Sequence, residues 1–138
     1  MKVHEFMVSK IEFIDSDRTV YDAVEIMVDK RIRSLVIRVG GKSDREAVDG
    51  VVTARDIVFK VLAKGLNPKA VKVADIASRP LACVEKDMDF DDAATLMEKA
   101  NIARLFVCDG EKVVGVVSLL DVMAAELIMW ARGDYDSR

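Results

Sequence analysis

The sequence predicts an α+β fold made of two tandem copies of one small unit, ordered strand, helix, strand, strand, helix. Three observations carry that reading. Residues 50–58 read GVVTARDIV and residues 115–123 read GVVSLLDVM, the same phrase 65 positions apart. Upstream, TVYDAVEIMVDKRIRSLVIRVG (19–40) lies over DFDDAATLMEKANIARLFVCDG (89–110) at an offset of 70. Asp22, Ala23, Met27, Ile32, Leu35 and Gly40 then fall on Asp92, Ala93, Met97, Ile102, Leu105 and Gly110. Finally, the offset drops by five at GGKSDREAVD, a loop, where insertion is tolerated. Similarity kept in order through several elements marks a tandem duplication, with repeats at 1–65 and 66–132 and a tail at 133–138.

The elements follow in order. Repeat 1 leads with the strand EFID (12–15). Thr19 then caps a helix with Asp22 as its capping-box partner, and Val20, Ala23, Val24, Met27 and Val28 make one buried stripe. The apolar runs LVIRV and AVDGVVT read as two strands joined by a loop. Thr53 opens a second helix whose stripe is Ile57, Val58, Val61 and Leu62. Repeat 2 leads with LACV (81–84), and Asp89 and Asp92 form its first capping box. Phe90, Ala93, Ala94 and Met97 repeat the stripe. LFVCD and VVGVVS flank Asp109-Gly110, a hairpin signal, and Ser118 opens a last helix running over Val122 to Trp130. Neither half is large enough to cover both faces of so small a sheet, so the halves are expected to pack together.

Composition removes several functions. The net charge of −3 and pI near 5.2 give no basic surface for nucleic acid. The N-terminus mixes charged with apolar residues and has no signal-peptide core. The apolar run from Val113 to Ala131 begins as a strand and is interrupted by Ser118, Asp121 and Glu126, so no membrane span is expected. Cys83 and Cys108 are too few and too isolated for a disulfide framework or a CxxC metal site and read as core. His4 is the sole histidine, so no histidine-based triad or multi-histidine metal site can form. The acidic runs 15–17 and 87–92 read as solvated helix starts rather than cation sites. The expected protein is cytoplasmic and not an enzyme.

Function should sit at the repeated hydroxyl-x-x-aspartate. Thr53 with Asp56, and Ser118 with Asp121, have the form of a capping box. The same groups at a helix start suit a ribose with phosphate beside it: the carboxylate accepts from both hydroxyls of a vicinal diol, and free amides face the anion. The two readings are compatible.

The duplicated pattern, with these two phrases closing each unit and DIASRPLACVEKDMDFDDAATLM opening the second, resembles a pair of CBS domains from about Val8 to Trp130. The resemblance implies two β-α-β-β-α repeats packed through their sheets about a pseudo-twofold axis. It also implies clefts between the repeats that take an adenine nucleotide: AMP first, then ATP, ADP or S-adenosylmethionine, as bound ligand and not as catalytic cofactor. It further implies a homodimer of four repeats in a flat disc and a regulated protein partner. The middle strands carry Val36 and Phe106 where many members of the family have a proline.

By the same resemblance Asp56 and Asp121 each hold a ribose diol, with Thr53 and Ser118 near ribose or phosphate. Asp56 would share a cleft with Ser78, Arg79, Pro80 and Arg104, and Asp121 with the 9–13 segment, Arg33 and Ser34. Arg31, Arg33, Arg55 and Arg104 offer paired donors to phosphate. Repeat 1 shows no counterpart of ASRPL (77–81), so its leading loop is expected to be shorter and the Asp56 cleft the tighter. The alternative function is a regulatory or assembly subunit that works through helix contacts, its clefts vestigial.

Overall fold

The computed structural model describes residues 1–40, 48–78 and 82–134. Both repeats build a three-stranded mixed sheet by one route. In the first, β1 (Phe13–Asp15) passes through α1 (Val20–Lys30) into β2 (Ser34–Arg38), which lies parallel to it. β3 (Val48–Thr53) returns antiparallel to β2, giving the order β1-β2-β3. Helix α2 (Ala54–Ile57) follows and loosens into a π turn over Val58–Leu62. A short helix, α3 (Val73–Ile76), precedes the second set. There β4 (Ala82–Glu85), α4 (Phe90–Ala100), β5 (Arg104–Asp109), β6 (Lys112–Ser118) and α5 (Leu119–Ala131) repeat the path, with the order β4-β5-β6. A crossover helix joins the parallel pair, and the third strand returns antiparallel beside the second in each sheet. Gly110, at φ 61°, makes the β5–β6 turn that Asp109-Gly110 signalled.

Two compact units result, and they do not coincide with the sequence repeats. One is Ile11–Pro80; the other joins Met1–Lys10 to Leu81–Arg138. The reason lies in two short leading segments. Val73 and Ile76 of α3 are buried in the core of the first unit with Val20, Leu35, Val52 and Val61. Val3, in a single 3-10 turn (Val3–Glu5), is buried in the core of the second with Ala93, Leu105 and Val117. Each segment then adds one bridge to a sheet: Ser78 pairs with Val51, and Val8 pairs with Val116. Val8 lies 70 positions before Ser78, and Val51 lies 65 before Val116, so the two bridges are copies of each other. Residues 7–11 are therefore the counterpart of ASRPL that the sequence reading found missing. Gly115 permits this docking, since a Cβ there would meet Met7 Sδ and Cγ.

Other expectations are corrected locally. Asp89 does not cap α4; its carboxylate pairs with Lys2 Nζ at 2.9 Å, which holds its pKa below the usual carboxylate range. The second-helix stripe splits, because Ile57 and Val61 are buried while Val58 and Leu62 stand exposed. Residues four apart stay on one face even where the helix loosens, so only one of the two pairs faces the core. Cys83 and Cys108 are joined by a disulfide. They face one side of adjacent strands, Cys83 opposite Phe106 and Cys108 opposite Glu85, with Cα atoms 6.3 Å apart and within disulfide reach. Cys108 is fully buried, as its apolar context implied, whereas Cys83 is only half-buried. Arg31 ends α1 in the left-handed conformation at φ 55°, where the second copy has Asn101 at φ 52°.

Candidate functional site

Both hydroxyl-x-x-aspartate motifs stand where a strand hands over to a helix. Thr53 is the last residue of β3 and the N-cap of α2; Ser118 is the last of β6 and the N-cap of α5. Each forms the expected capping box. Asp56 N–H donates to Thr53 Oγ1 at 3.1 Å, and Asp121 N–H donates to Ser118 Oγ at 3.3 Å. In return Thr53 N–H donates to Asp56 Oδ2 at 3.0 Å, and Ser118 N–H donates to Asp121 Oδ2 at 2.8 Å. The hydroxyls also turn to the same oxygens, both at 2.9 Å. Fixed in this way, each carboxylate keeps one well-defined orientation at the end of a sheet.

Beyond that shared frame the two carboxylates differ. Asp56 and Thr53 are each only 7 % exposed. Ser78 Oγ donates to Asp56 Oδ1 at 3.1 Å and Oδ2 at 2.9 Å, and Lys60 Nζ lies 3.1 Å from Oδ1. Burial pushes the Asp56 pKa up, but the hydrogen bonds from Thr53, Lys60 and Ser78 outweigh it and leave the carboxyl below its ordinary value. Asp121 is half-buried, and its Oδ1 accepts no hydrogen bond among the described residues. The repeat explains the contrast. Val8 stands where Ser78 stands in the other copy, and Ala125, fully buried, stands where Lys60 does.

The remaining candidates are placed as follows. Ser34 is opposite Thr53 in the β2–β3 register, and Arg104 is opposite Ser118 in β5–β6, so each middle strand starts beside the hydroxyl of its own sheet. The Arg33 carbonyl accepts from Ala54 N–H at 2.9 Å, which leaves its exposed side chain out of the backbone joint. The Arg55 guanidinium lies 4.4 Å from the ring centre of Phe59 and is exposed. Arg79 and Pro80 lie outside the described residues. Lys60 is the site residue that sequence reading missed. Its only signal was an (i, i+4) spacing from Asp56, which is too common to single out. No cluster of three or more metal-ligating side chains occurs among the described residues.

Comparison with known proteins agrees with the fold. A family model described as the CBS domain matches twice, over residues 3–63 and 73–128. An uncharacterized protein of Methanopyrus kandleri is 38% identical over 108 residues, 75% of this chain and 53% of its own length. The chain thus spans about half to three fifths of the length of the first curated relatives it matches. Among solved structures, a hexameric CBS-CP12 protein from bloom-forming cyanobacteria is 28% identical, with a TM-score of 0.75 over 97% of this chain and 83% of that one. A putative signal-transduction protein with CBS domains from Burkholderia ambifaria is 27% identical, with the same TM-score over 93% and 95% of the two chains.

Proposed function

The chain belongs to the CBS-domain family, and on that premise we propose that it is a non-enzymatic regulatory module that binds an adenine nucleotide, AMP in the first place, through its hydroxyl-x-x-aspartate motifs. One observation supports this most directly. The second motif presents a carboxylate whose Oδ2 accepts two hydrogen bonds, from the Ser118 N–H and the Ser118 hydroxyl, while Oδ1 is unclaimed among the described residues. A ribose offers two adjacent hydroxyl donors, and a carboxylate with one open edge receives them without first losing a partner.

A thermal-shift panel of AMP, ADP, ATP, S-adenosylmethionine and NAD tests the reading. A ligand at 100 times its Kd stabilises by about 2.7 kcal/mol, a readily measured rise in Tm for a domain of this size. No shift with any of the five at millimolar concentration would reject it.

The reading extends to self-association. Leu119, Leu120, Met123, Leu127 and Trp130 leave one side of α5 exposed and apolar, and Val58, Phe59 and Leu62 do the same for the turn after α2. Apolar faces of this extent are usual at protein interfaces. A homodimer through these helices is expected, read by light scattering at tens of micromolar; a monomeric mass with and without nucleotide would contradict it. The same faces favour a second reading, an assembly subunit that works through helix contacts alone. The thermal-shift panel separates the two, because the second predicts no ligand response. No helix among the described residues is long and apolar enough to cross a membrane.

A further inference from the structure

The geometry points to a latch on Asp56: Ser78 and Lys60 occupy this carboxylate, and binding there requires the segment 73–78 to let go. The inference rests on the nucleotide reading for its ligand, and on hydrogen bonding alone for its mechanism. Asp56 Oδ2 already accepts from Thr53 N–H, Thr53 Oγ1 and Ser78 Oγ, and Oδ1 receives Ser78 Oγ and Lys60 Nζ. The donors that a ribose diol would supply therefore have protein stand-ins. A buried acceptor with its positions filled gains little from a new donor until an old one leaves.

The stand-ins are anchored to one element. Ser78 exchanges both backbone hydrogen bonds with Val51, at 2.8 and 3.3 Å. Lys60 Nζ also donates to the Ile76 carbonyl at 3.2 Å. Ile76 and Val73 hold the rest of the segment in the core. The latch thus ties the end of β3, the π turn and the segment 73–78 to one carboxylate. Release of Ser78 by a ligand would loosen the pairing at Val51, which gives the segment two arrangements that nucleotide can bias. The second copy carries Val8 and Ala125 at the two corresponding positions and has no latch. This reverses the affinity order expected from the sequence: Asp121 takes the first equivalent, and Asp56 takes a second only when unlatched.

Calorimetry with AMP on the wild-type chain and on the Ser78→Ala/Lys60→Met double variant tests this. Wild type is expected to take one tight equivalent per chain, lost on Asp121→Ala. The double variant is expected to show a second event at least tenfold tighter than any second event in wild type, removed again by Asp56→Ala. Two equivalents of like affinity in wild type would overturn the latch, as would a double variant that binds as wild type does or more weakly. Absence of binding in every variant would overturn the nucleotide reading instead. The latch is then judged by hydrogen exchange without ligand: the Ser78 and Val51 amides should exchange at least tenfold faster in the double variant, and unchanged rates would overturn it.

Discussion

Asp56→Ala is expected to lower the unfolding free energy by about 2–4 kcal/mol, and Asp121→Ala by only about 0.5–2 kcal/mol. Both substitutions remove a capping box, so the smaller figure is common to them. The excess at Asp56 comes from what is left behind. Thr53 lies in a buried setting, Ser78 Oγ loses both of its contacts to the carboxylate, and among the described residues Lys60 keeps only the Ile76 carbonyl. Lys60 is about half exposed, so the ion pair itself contributes little after solvent screening; the buried hydrogen bonds dominate. Urea unfolding of the two variants measures the difference, and equal losses would contradict the distinction between the two carboxylates.

Acid should report the same network. The Asp56 pKa is lowered on folding, so its contribution is full above the unfolded carboxyl value of about 4 and disappears as pH falls through the folded value. The stability of wild type should therefore fall more steeply below pH 4 than that of Asp56→Ala.

Removal of Met1–Val8 is expected to cost about 5 kcal/mol and to act on the second unit rather than the first. Val3 is fully buried there, and Phe6 and Met7 pack against the same core. At about 1.5–3 kcal/mol for a fully buried apolar side chain, and less for the two partly buried ones, the sum reaches that figure. Backbone bonds go with them, from Val3 N–H to the Met88 carbonyl, from Phe90 N–H to the Met1 carbonyl, and between Val8 and Val116 in both directions. Phe6 also meets the edge of the Phe90 ring, with centres 5.8 Å apart. Hydrogen exchange should show protection lost at Leu105, Val107 and Val117 and kept at Leu35, Ile37 and Val52. Equal loss in both sets, or a cost below about 1 kcal/mol, would contradict the exchange of leading segments.

These two results mark the boundary of what the sequence made legible. Strands and long helices were readable because periodicity repeats over many residues: Val20, Ala23 and Met27 of the first stripe and Phe90, Ala93 and Met97 of the second lie buried, while Val24 and Ala94 are half-buried and Val28, at the edge of its stripe, is exposed. The capping boxes at Thr53 and Ser118 were readable for a similar reason, since three-residue spacing is local and the partner is the backbone itself. The leading segments were not. VHEFMV and VADIAS share one identical residue in register, Val3 with Val73, and a single turn has too few positions to show a period. Where each segment docks is a tertiary choice set by the hollow left beside β3 and β6, which no local pattern encodes. The Asp89 cap failed because a charged partner distant in sequence, Lys2, competed for the same carboxylate. Cys83 and Cys108 were 25 positions apart, and only the β4–β5 register brought them together. Lys60 was invisible for want of any rule that separates a binding lysine from a surface one.

Comparison of AMP with 2′-deoxy-AMP by calorimetry tests the central claim, that an aspartate of this chain grips both ribose hydroxyls. Loss of one donor leaves a charged acceptor partly unpaired, at a cost of about 1–3 kcal/mol. AMP is expected to bind at least about tenfold more tightly. Equal affinities for the two nucleotides would show that Asp56 and Asp121 serve only as helix caps.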